Sequence, residues 1–219
     1  MRLPLGAQAR KMIAPEAEAM VVQQIAGRGI CDEKVLAAMK RVDRRLFVEP
    51  KNVARAFNDH PMPIGFGQTI SQPYIVAFMT EALQLTANDR VLEIGTGCGY
   101  QTAILAEIAQ EVCTMEIIED LGREAGNLLA QLGYVNLQTR IGDGRNGWPE
   151  KISFDKIIAT AAPEQVPDAL LRQLKIGGLL VMPVGTEEQE LVRIRRSKKG
   201  FERESLLLVR FVPMTGSKF

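Results

Sequence analysis

The sequence predicts an α/β fold: a doubly wound, mostly parallel sheet with added N-terminal helices and an antiparallel edge hairpin. Three observations lead there. From Asp89 onward, short apolar runs alternate with stretches of helical periodicity, as crossover units require. The first of these runs ends in a glycine-rich turn that opens a helix. Between the last two runs only Ser197 to Gly200 reads as a turn, which suits an antiparallel hairpin rather than a parallel crossover.

Taken in order, residues 1–15 form an extension to which no role is assigned. From Glu16 to Arg45 apolar residues recur at helical spacing, as in Met20 and Ile25 and then Val35, Leu36, Met39 and Val42. Asp32 is placed to cap the second run. Between Phe57 and Pro73, the residues Pro61, Pro63, Gly65, Gly67 and Pro73 deny the chain a long helix and predict an ordered irregular loop. Tyr74 to Leu85 then reads as a helix through Ile75, Phe78, Met79 and Leu83. Beyond Asp89, strands are expected at Arg90 to Ile94, Val112 to Met115, Leu137 to Ile141, Lys156 to Ala159 and Leu179 to Val184. Helices are expected at Tyr100 to Ala109, Glu119 to Leu132 and Pro167 to Leu174. Leu191 to Arg196 and Leu206 to Val212 supply the closing hairpin. Length favours one domain: residues 16–88 give the helices and loop, and residues 89–219 give the core.

Composition narrows the function. With 46% hydrophobic and 24% charged residues the chain has the side chains for a core, which excludes global disorder. The net charge of +1 gives no support to a nucleic-acid or anionic-membrane partner. Cys31, Cys98 and Cys113 are far apart and odd in number, neither a disulfide framework nor a metal-ligand spacing, so no metal is expected and a reducing cytoplasm fits best. No stretch approaches the roughly 18 apolar residues of a membrane span. Arg10, Lys11, Glu16 and Glu18 interrupt any export signal in the first 20 residues.

The strongest local signal is Val91-Leu92-Glu93-Ile94-Gly95-Thr96-Gly97-Cys98-Gly99-Tyr100, a strand entering a G-x-G-x-G turn. Glycines there allow a ligand to approach backbone closely, although the dinucleotide fingerprint is G-x-G-x-x-G and Gly99 comes one residue early. A tight turn is the plainer alternative. Glu116 follows the second strand about 20 residues on, where a carboxylate meets ribose hydroxyls. By itself it also suits a solvated strand end. Gly142-Asp143-Gly144 follows the third strand, with Asp143 placed to accept from an adenine amino group or simply to make a turn. All three lie at carboxyl ends of successive strands, where open α/β sheets bind ligands. With Glu93 just before the glycines, the arrangement resembles that of S-adenosylmethionine-dependent methyltransferases.

The acceptor is narrowed by what is missing. Methylases of base amines or glutamine amides carry an Asn- or Asp-Pro-Pro-aromatic segment after the fourth strand, and this chain has Thr160-Ala161-Ala162-Pro163. None of the three cysteines is placed as an activated nucleophile. His60 is the only histidine, and a carboxylate acceptor, with a pKa near ~4, needs no base. That favours a carboxyl O-methyltransferase, with Asp and Glu side chains left open as bases for other acceptors.

The loop Pro63-Ile64-Gly65-Phe66-Gly67-Gln68-Thr69-Ile70-Ser71-Gln72-Pro73 closely resembles the signature loop of protein-L-isoaspartate O-methyltransferases. The likeness runs from about Met20 to Gly216 and includes Arg28-Gly29-Ile30, Lys175 to Gly185 and Phe211-Val212-Pro213-Met214-Thr215-Gly216. It implies a seven-stranded, Rossmann-like methyltransferase sheet. It also implies methyl transfer from S-adenosyl-L-methionine to the α-carboxyl of isoaspartyl residues in age-damaged proteins, an ester that closes to a succinimide. The resemblance assigns Ser71 as the catalytic residue, with Thr69, Ser71 and Val212 meeting substrate. Glu93, Gly95, Gly97, Glu116, Asp143, Gly144 and Thr215 are assigned to the cofactor. A cytoplasmic monomer is expected.

Two departures stand out: Asp43 where the family often has proline, and Cys98 where it often has serine, which adds oxidation sensitivity if exposed. The cluster Arg193, Arg195, Arg196, Lys198 and Lys199 reads as a solvated hairpin or a surface for acidic partners. The rivals are a small-molecule methylase of the same fold and a module that binds the cofactor without turnover.

Overall fold

The computed structural model describes residues 14–216, so most of the 1–15 extension lies outside the described residues. Helix α1 (Pro15–Met20) passes into a π-helical turn at Val21–Ile25 and a 3-10 turn at Ala26–Arg28. Gly29, at φ 99°, then stops the chain. Helix α2 (Glu33–Arg41) begins as expected at Asp32, whose carboxylate accepts from the backbone N–H groups of Lys34 (2.9 Å) and Val35 (3.4 Å).

The segment expected to be irregular contains a hairpin. Strands β1 (Met62–Gly65) and β2 (Gln68–Ile70) pair antiparallel, with Met62 opposite Ile70. Gly65, Phe66 and Gly67 all take positive φ, the backbone that a tight hairpin turn requires. The prolines that argued against helix are compatible with an isolated two-stranded ribbon, because each strand has an open edge. Helix α3 (Pro73–Ala82) follows and ends three residues early, where Gln84 adopts φ 53°.

The core alternates as predicted: β3 (Arg90–Ile94), α4 (Tyr100–Ala106), β4 (Glu111–Glu116), α5 (Glu119–Gln131), β5 (Leu137–Ile141), β6 (Phe154–Ala159), α6 (Asp168–Gln173) and β7 (Leu174–Gly185). Strands β8 (Gln189–Ser197) and β9 (Gly200–Val209) complete a seven-stranded sheet of order β5-β4-β3-β6-β7-β8-β9. Pairs from β5 through β7 are parallel, and β8 runs antiparallel to both neighbours. The strand order reverses between β3 and β6, which creates the crevice where such sheets bind ligands.

Alternate side chains of the central strands enter opposite cores, as the two-residue period of a strand demands. Val91, Ile158 and Val181 face the N-terminal helices together with Met39, Val76 and Ile104. Leu92, Ile157, Leu180 and Met182 face the other core with Trp148 and Phe154. Strand β9 starts at Gly200, six residues before its apolar stretch. The added residues are exposed, and Glu204 pairs with Arg193 of β8 at 2.7 Å, while Arg196 of the same basic cluster donates to the Arg172 and Leu174 carbonyls. Charge along an edge strand also discourages pairing with another sheet. Among the described residues, no helix is long and apolar enough to cross a membrane, and no group of three His, Cys, Asp or Glu could hold a metal.

Candidate active site

The turn after β3 is built from three left-handed glycines: Gly95 (φ 93°), Gly97 (φ 55°) and Gly99 (φ 89°). A Cβ at Gly95 would collide with Thr160 Oγ1, and one at Gly99 would stand 3.1 Å from Leu129 Cδ1. Gly99 therefore seats α4 closely against α5, the task of the third glycine in the longer fingerprint.

Glu116 ends β4 and is 5% exposed. Its Oε1 accepts from the N–H groups of Ile117 (2.9 Å) and Ile118 (3.0 Å), and its Oε2 accepts from Gly97 N–H at 2.8 Å. A carboxylate offers about four lone-pair sites, so Oε2 keeps one acceptor position after these three bonds.

Beside it lies a cleft of ≈ 590 Å³, counting space open to solvent, lined by Gly95, Gly97, Glu116, Gly142, Gly144 and Thr215 among others. Five of the residues expected to meet the cofactor thus come together: Gly95, Gly97, Glu116, Gly144 and Thr215, with Asp143 between the lining residues Gly142 and Gly144. Asp143 is the special case. Its side chain does not line the cleft, since Oδ1 accepts from Arg145 N–H at 3.0 Å and Oδ2 from the Arg145 guanidinium at 2.7 Å.

Glu93 does not reach the cleft. It is fully buried beneath the turn, where Oε2 accepts from Thr102 Oγ1 at 2.6 Å and Thr114 Oγ1 at 2.7 Å. Thr114 in turn meets Thr96 Oγ1 at 2.7 Å, so a line of hydroxyls joins the acid to the glycine turn. Burial lifts the Glu93 carboxyl to about 8, against the pull of those two hydroxyls, which leaves it protonated at neutral pH. Its expected direct contact with the cofactor is corrected to a place under the turn, because an inward side chain at this strand position enters the protein.

A second cleft, ≈ 960 Å³ by the same measure, opens beside the hairpin and is lined by Thr69, Ser71, Ile75, Arg210 and Val212 among others. Thr69, Thr160 and Val212 line both clefts. Ser71 is half-buried, and its hydroxyl has no hydrogen-bond partner among the described residues. Val212 is held by its carbonyl, which accepts from Ala162 N–H at 2.9 Å. His60 lines neither cleft; its Nδ1 lies 3.1 Å from the Pro61 carbonyl oxygen. Cys98 is half-buried, and burial pushes its thiol to about 11, a poor nucleophile and a slow target for oxidation.

The model of the protein-L-isoaspartate(D-aspartate) O-methyltransferase family matches residues 15–219. The chain belongs to this family. Relatives named protein-L-isoaspartate O-methyltransferase include one from a Picosynechococcus strain, 52% identical over 91% of this chain and 90% of its own length. A second, from Pelobacter propionicus, bears that name with the number 2 and is 48% identical over 99% of this chain and 98% of its own. Among solved structures, a family member from Plasmodium falciparum in complex with S-adenosyl-L-homocysteine superposes with TM-score 0.80 at 24% identity, over 91% of this chain and 98% of that one. Another protein-L-isoaspartate O-methyltransferase gives 0.82 at 24% identity, over 91% of this chain and 66% of that one, and both agree on the fold.

Thr160 is the site residue that sequence reasoning passed over, having used its segment only to disfavour an amide acceptor. Its Oγ1 donates to the Gly95 carbonyl at 2.7 Å, across the reversal point between β6 and β3. The available signal was position, since it is the first residue beyond β6 beside the strand that carries the glycines.

Proposed function

We propose that this chain transfers a methyl group from S-adenosylmethionine to the α-carboxyl of L-isoaspartyl residues in damaged proteins. The observation that carries the reading is the pair of clefts that meet at Thr69, Thr160 and Val212. One side has the glycines and the carboxylate that suit a nucleoside, and the other has the hydroxyl of Ser71 and room for a peptide. The glycine cradle fits the cofactor: Gly97 and Gly142 bring backbone to the cleft wall, and Glu116 keeps an acceptor position for a ribose hydroxyl. When bound there, the cofactor supplies an electrophilic methyl group.

The remaining work is orientation. The acceptor carboxylate is already ionised at pH 7, so no protein base has to take a proton, which agrees with His60 standing outside both clefts. Ser71 donates a hydrogen bond to that carboxylate and aims one oxygen at the neighbouring cleft. Thr69 and Val212 flank the acceptor and limit water between the two sites. Gly95, Gly97, Glu116, Gly144 and Thr215 hold the cofactor, Asp143 shapes the loop through Arg145, and Glu93 stiffens the turn from below. The ester leaves the site and closes to a succinimide without further catalysis. Residues 1–219 act as one methyltransferase domain, with no role assigned to the 1–15 extension, working as a monomer in the cytoplasm on damaged proteins rather than nucleic acid or membranes. Near-neutral charge and unpaired cysteines support that setting.

The test is methyl transfer from labelled S-adenosylmethionine to two peptides that differ only in isoaspartate or aspartate at one position. Base-labile label on the isoaspartyl peptide alone is expected. Absence of label on both, with cofactor bound, would overturn the reading. In the same assay Ser71→Ala is expected to lower kcat about tenfold, the worth of one orienting hydrogen bond, with cofactor affinity unchanged. An unaltered rate would remove Ser71 from the mechanism.

A further inference from the structure

Directly behind Ser71 stands a cation with no counter-ion. Arg44 is 0% exposed, and among the described residues it is the only Lys or Arg buried to that degree. Its Nε donates to the Ala56 carbonyl at 2.8 Å and its Nη2 to the Ser71 carbonyl at 2.7 Å. The guanidinium lies 4.8 Å from the Tyr100 ring centroid, and Nη1 has no hydrogen-bond partner among the described residues.

Every group close to it is neutral at pH 7. Burial raises the Tyr100 hydroxyl to about 12 and the Cys98 thiol to about 11, so neither supplies an anion. Asp59, which feels the charge at longer range, is taken up by Arg28 at 2.7 Å and by Gln72 at 2.7 Å. Burial also lowers the pKa of Arg44 itself, but a guanidinium stays charged at neutral pH. The neighbouring arginines are different: Arg28, Arg41 and Arg45 each have a carboxylate within 3 Å.

An unpaired buried charge is among the costlier things a fold can hold. Tethering two carbonyls does not explain it, since a neutral amide donates two hydrogen bonds without the desolvation cost of a cation. Position supplies the reason. Ser71, Cys98 and Tyr100, which surround the guanidinium, also line a small cavity with Thr69, Gly97 and Thr160, between the hairpin and the glycine turn. Arg44 itself lines none of these spaces, so its charge acts on the place where the two clefts meet from behind the Ser71 peptide group, across buried protein that screens it less than water does.

We propose that Arg44 is a positioning residue whose charge attracts and orients the anionic acceptor at Ser71, so that the substrate carboxylate is the counter-ion that the chain itself omits. This rests on the reading of the second cleft as the isoaspartyl site. The guanidinium acts in two ways: its bond to the Ser71 carbonyl sets the hydroxyl, and its charge selects a carboxylate over a neutral group of the same shape.

The experiment compares two peptides, one with a free isoaspartyl α-carboxylate and one with that group as carboxamide, for binding to wild type, Arg44→Lys and Arg44→Gln with S-adenosyl-L-homocysteine present. Wild type is expected to bind the carboxylate about tenfold more tightly than the carboxamide, the scale of one charge contact at the edge of solvent. Arg44→Gln should bind both alike through a weaker hold on the carboxylate, with S-adenosyl-L-homocysteine affinity and carboxamide affinity retained. Arg44→Lys keeps the charge and should keep most of the preference. A preference preserved in a folded Arg44→Gln variant, or absent from wild type, overturns the proposal. Should Arg44→Gln fail to fold, Arg44→Lys decides: its preference persists if charge is the cause and vanishes if only the guanidinium's shape matters. Failure of wild type to methylate the carboxylate peptide is a separate result, which removes the underlying reading and the inference with it.

Discussion

Glu116→Ala is expected to weaken S-adenosylmethionine binding by about 10- to 100-fold while the sheet remains folded. The carboxylate accepts three backbone N–H groups, from Gly97, Ile117 and Ile118, in a position only 5% exposed. Its removal leaves those donors without an acceptor. Those three bonds lie within the protein and their loss is read in stability, whereas the one acceptor position left on Oε2 gives a single charge-assisted bond to the ligand, worth about 1.5–3 kcal/mol and enough for the stated factor. On the proposed reading this position also offers one acceptor to a ribose hydroxyl, so the substitution removes that contact and relaxes the turn that frames it. Isothermal titration with S-adenosyl-L-homocysteine measures the effect, and thermal unfolding reports whether the domain survives. Glu116→Gln keeps the shape but turns one oxygen into a donor that faces an N–H group, so it is expected to fall between the two. Affinity unchanged in Glu116→Ala would remove this carboxylate from the site.

The parts of this architecture that were legible in the sequence are those with a local cause. Strands β3 and β5 keep their expected bounds, because one begins where helical spacing stops and the other lies between a glycine turn and Gly142. The capping of α2 by Asp32 needed only the four residues from Asp32 to Val35. The hairpin of β1 and β2 was missed because its prolines and glycines carry the same signal as an irregular loop, and only pairing distinguishes the two. The exposed start of β9 was missed for the opposite reason: its stability comes from β8, not from its own apolar residues.

Within the site, glycines and acids at strand ends were readable from spacing, whereas depth was not. Glu93 and Glu116 both look like strand-end carboxylates in the sequence, yet one is buried between the sheet and α4, beneath the turn, and the other faces the cleft. Arg44 sits in an Arg-Arg pair that reads as surface, and its burial depends on Tyr100, 56 residues later, and on the hairpin that covers it. Burial of a charge is a property of the assembled fold, so no local pattern announces it.

Stability is expected to fall as pH rises from 4.5 to about 8, by an amount that Glu93→Gln abolishes. The unfolded Glu93 carboxyl ionises near 4.5, and burial raises it to about 8 in the folded chain. Below 4.5 both states hold the proton and the residue makes no pH-dependent contribution. Between the two values the folded state binds more protons than the unfolded one, so each step up in pH favours unfolding. Above about 8 the penalty is complete, with a ceiling of about 5 kcal/mol at roughly 1.4 kcal/mol per pH unit of the window. Glutamine has nearly the same shape and no charge, and its amide oxygen still accepts from Thr102 and Thr114. Urea midpoints of wild type and Glu93→Gln, measured from pH 5 to 9, separate this group from all others, because the remaining acids, Asp155 with its lowered pKa among them, are common to both proteins. Parallel curves would mean that Glu93 is ionised throughout. The function follows the same titration. Deprotonation places an anion with one unpartnered oxygen beneath the line Thr114 to Thr96 and close enough to Glu116 to repel it, so the cofactor turn loosens above about pH 8. Affinity for S-adenosyl-L-homocysteine should therefore drop on the alkaline side in wild type and stay level in Glu93→Gln, which ties a buried acid that touches no ligand to the shape of the site above it.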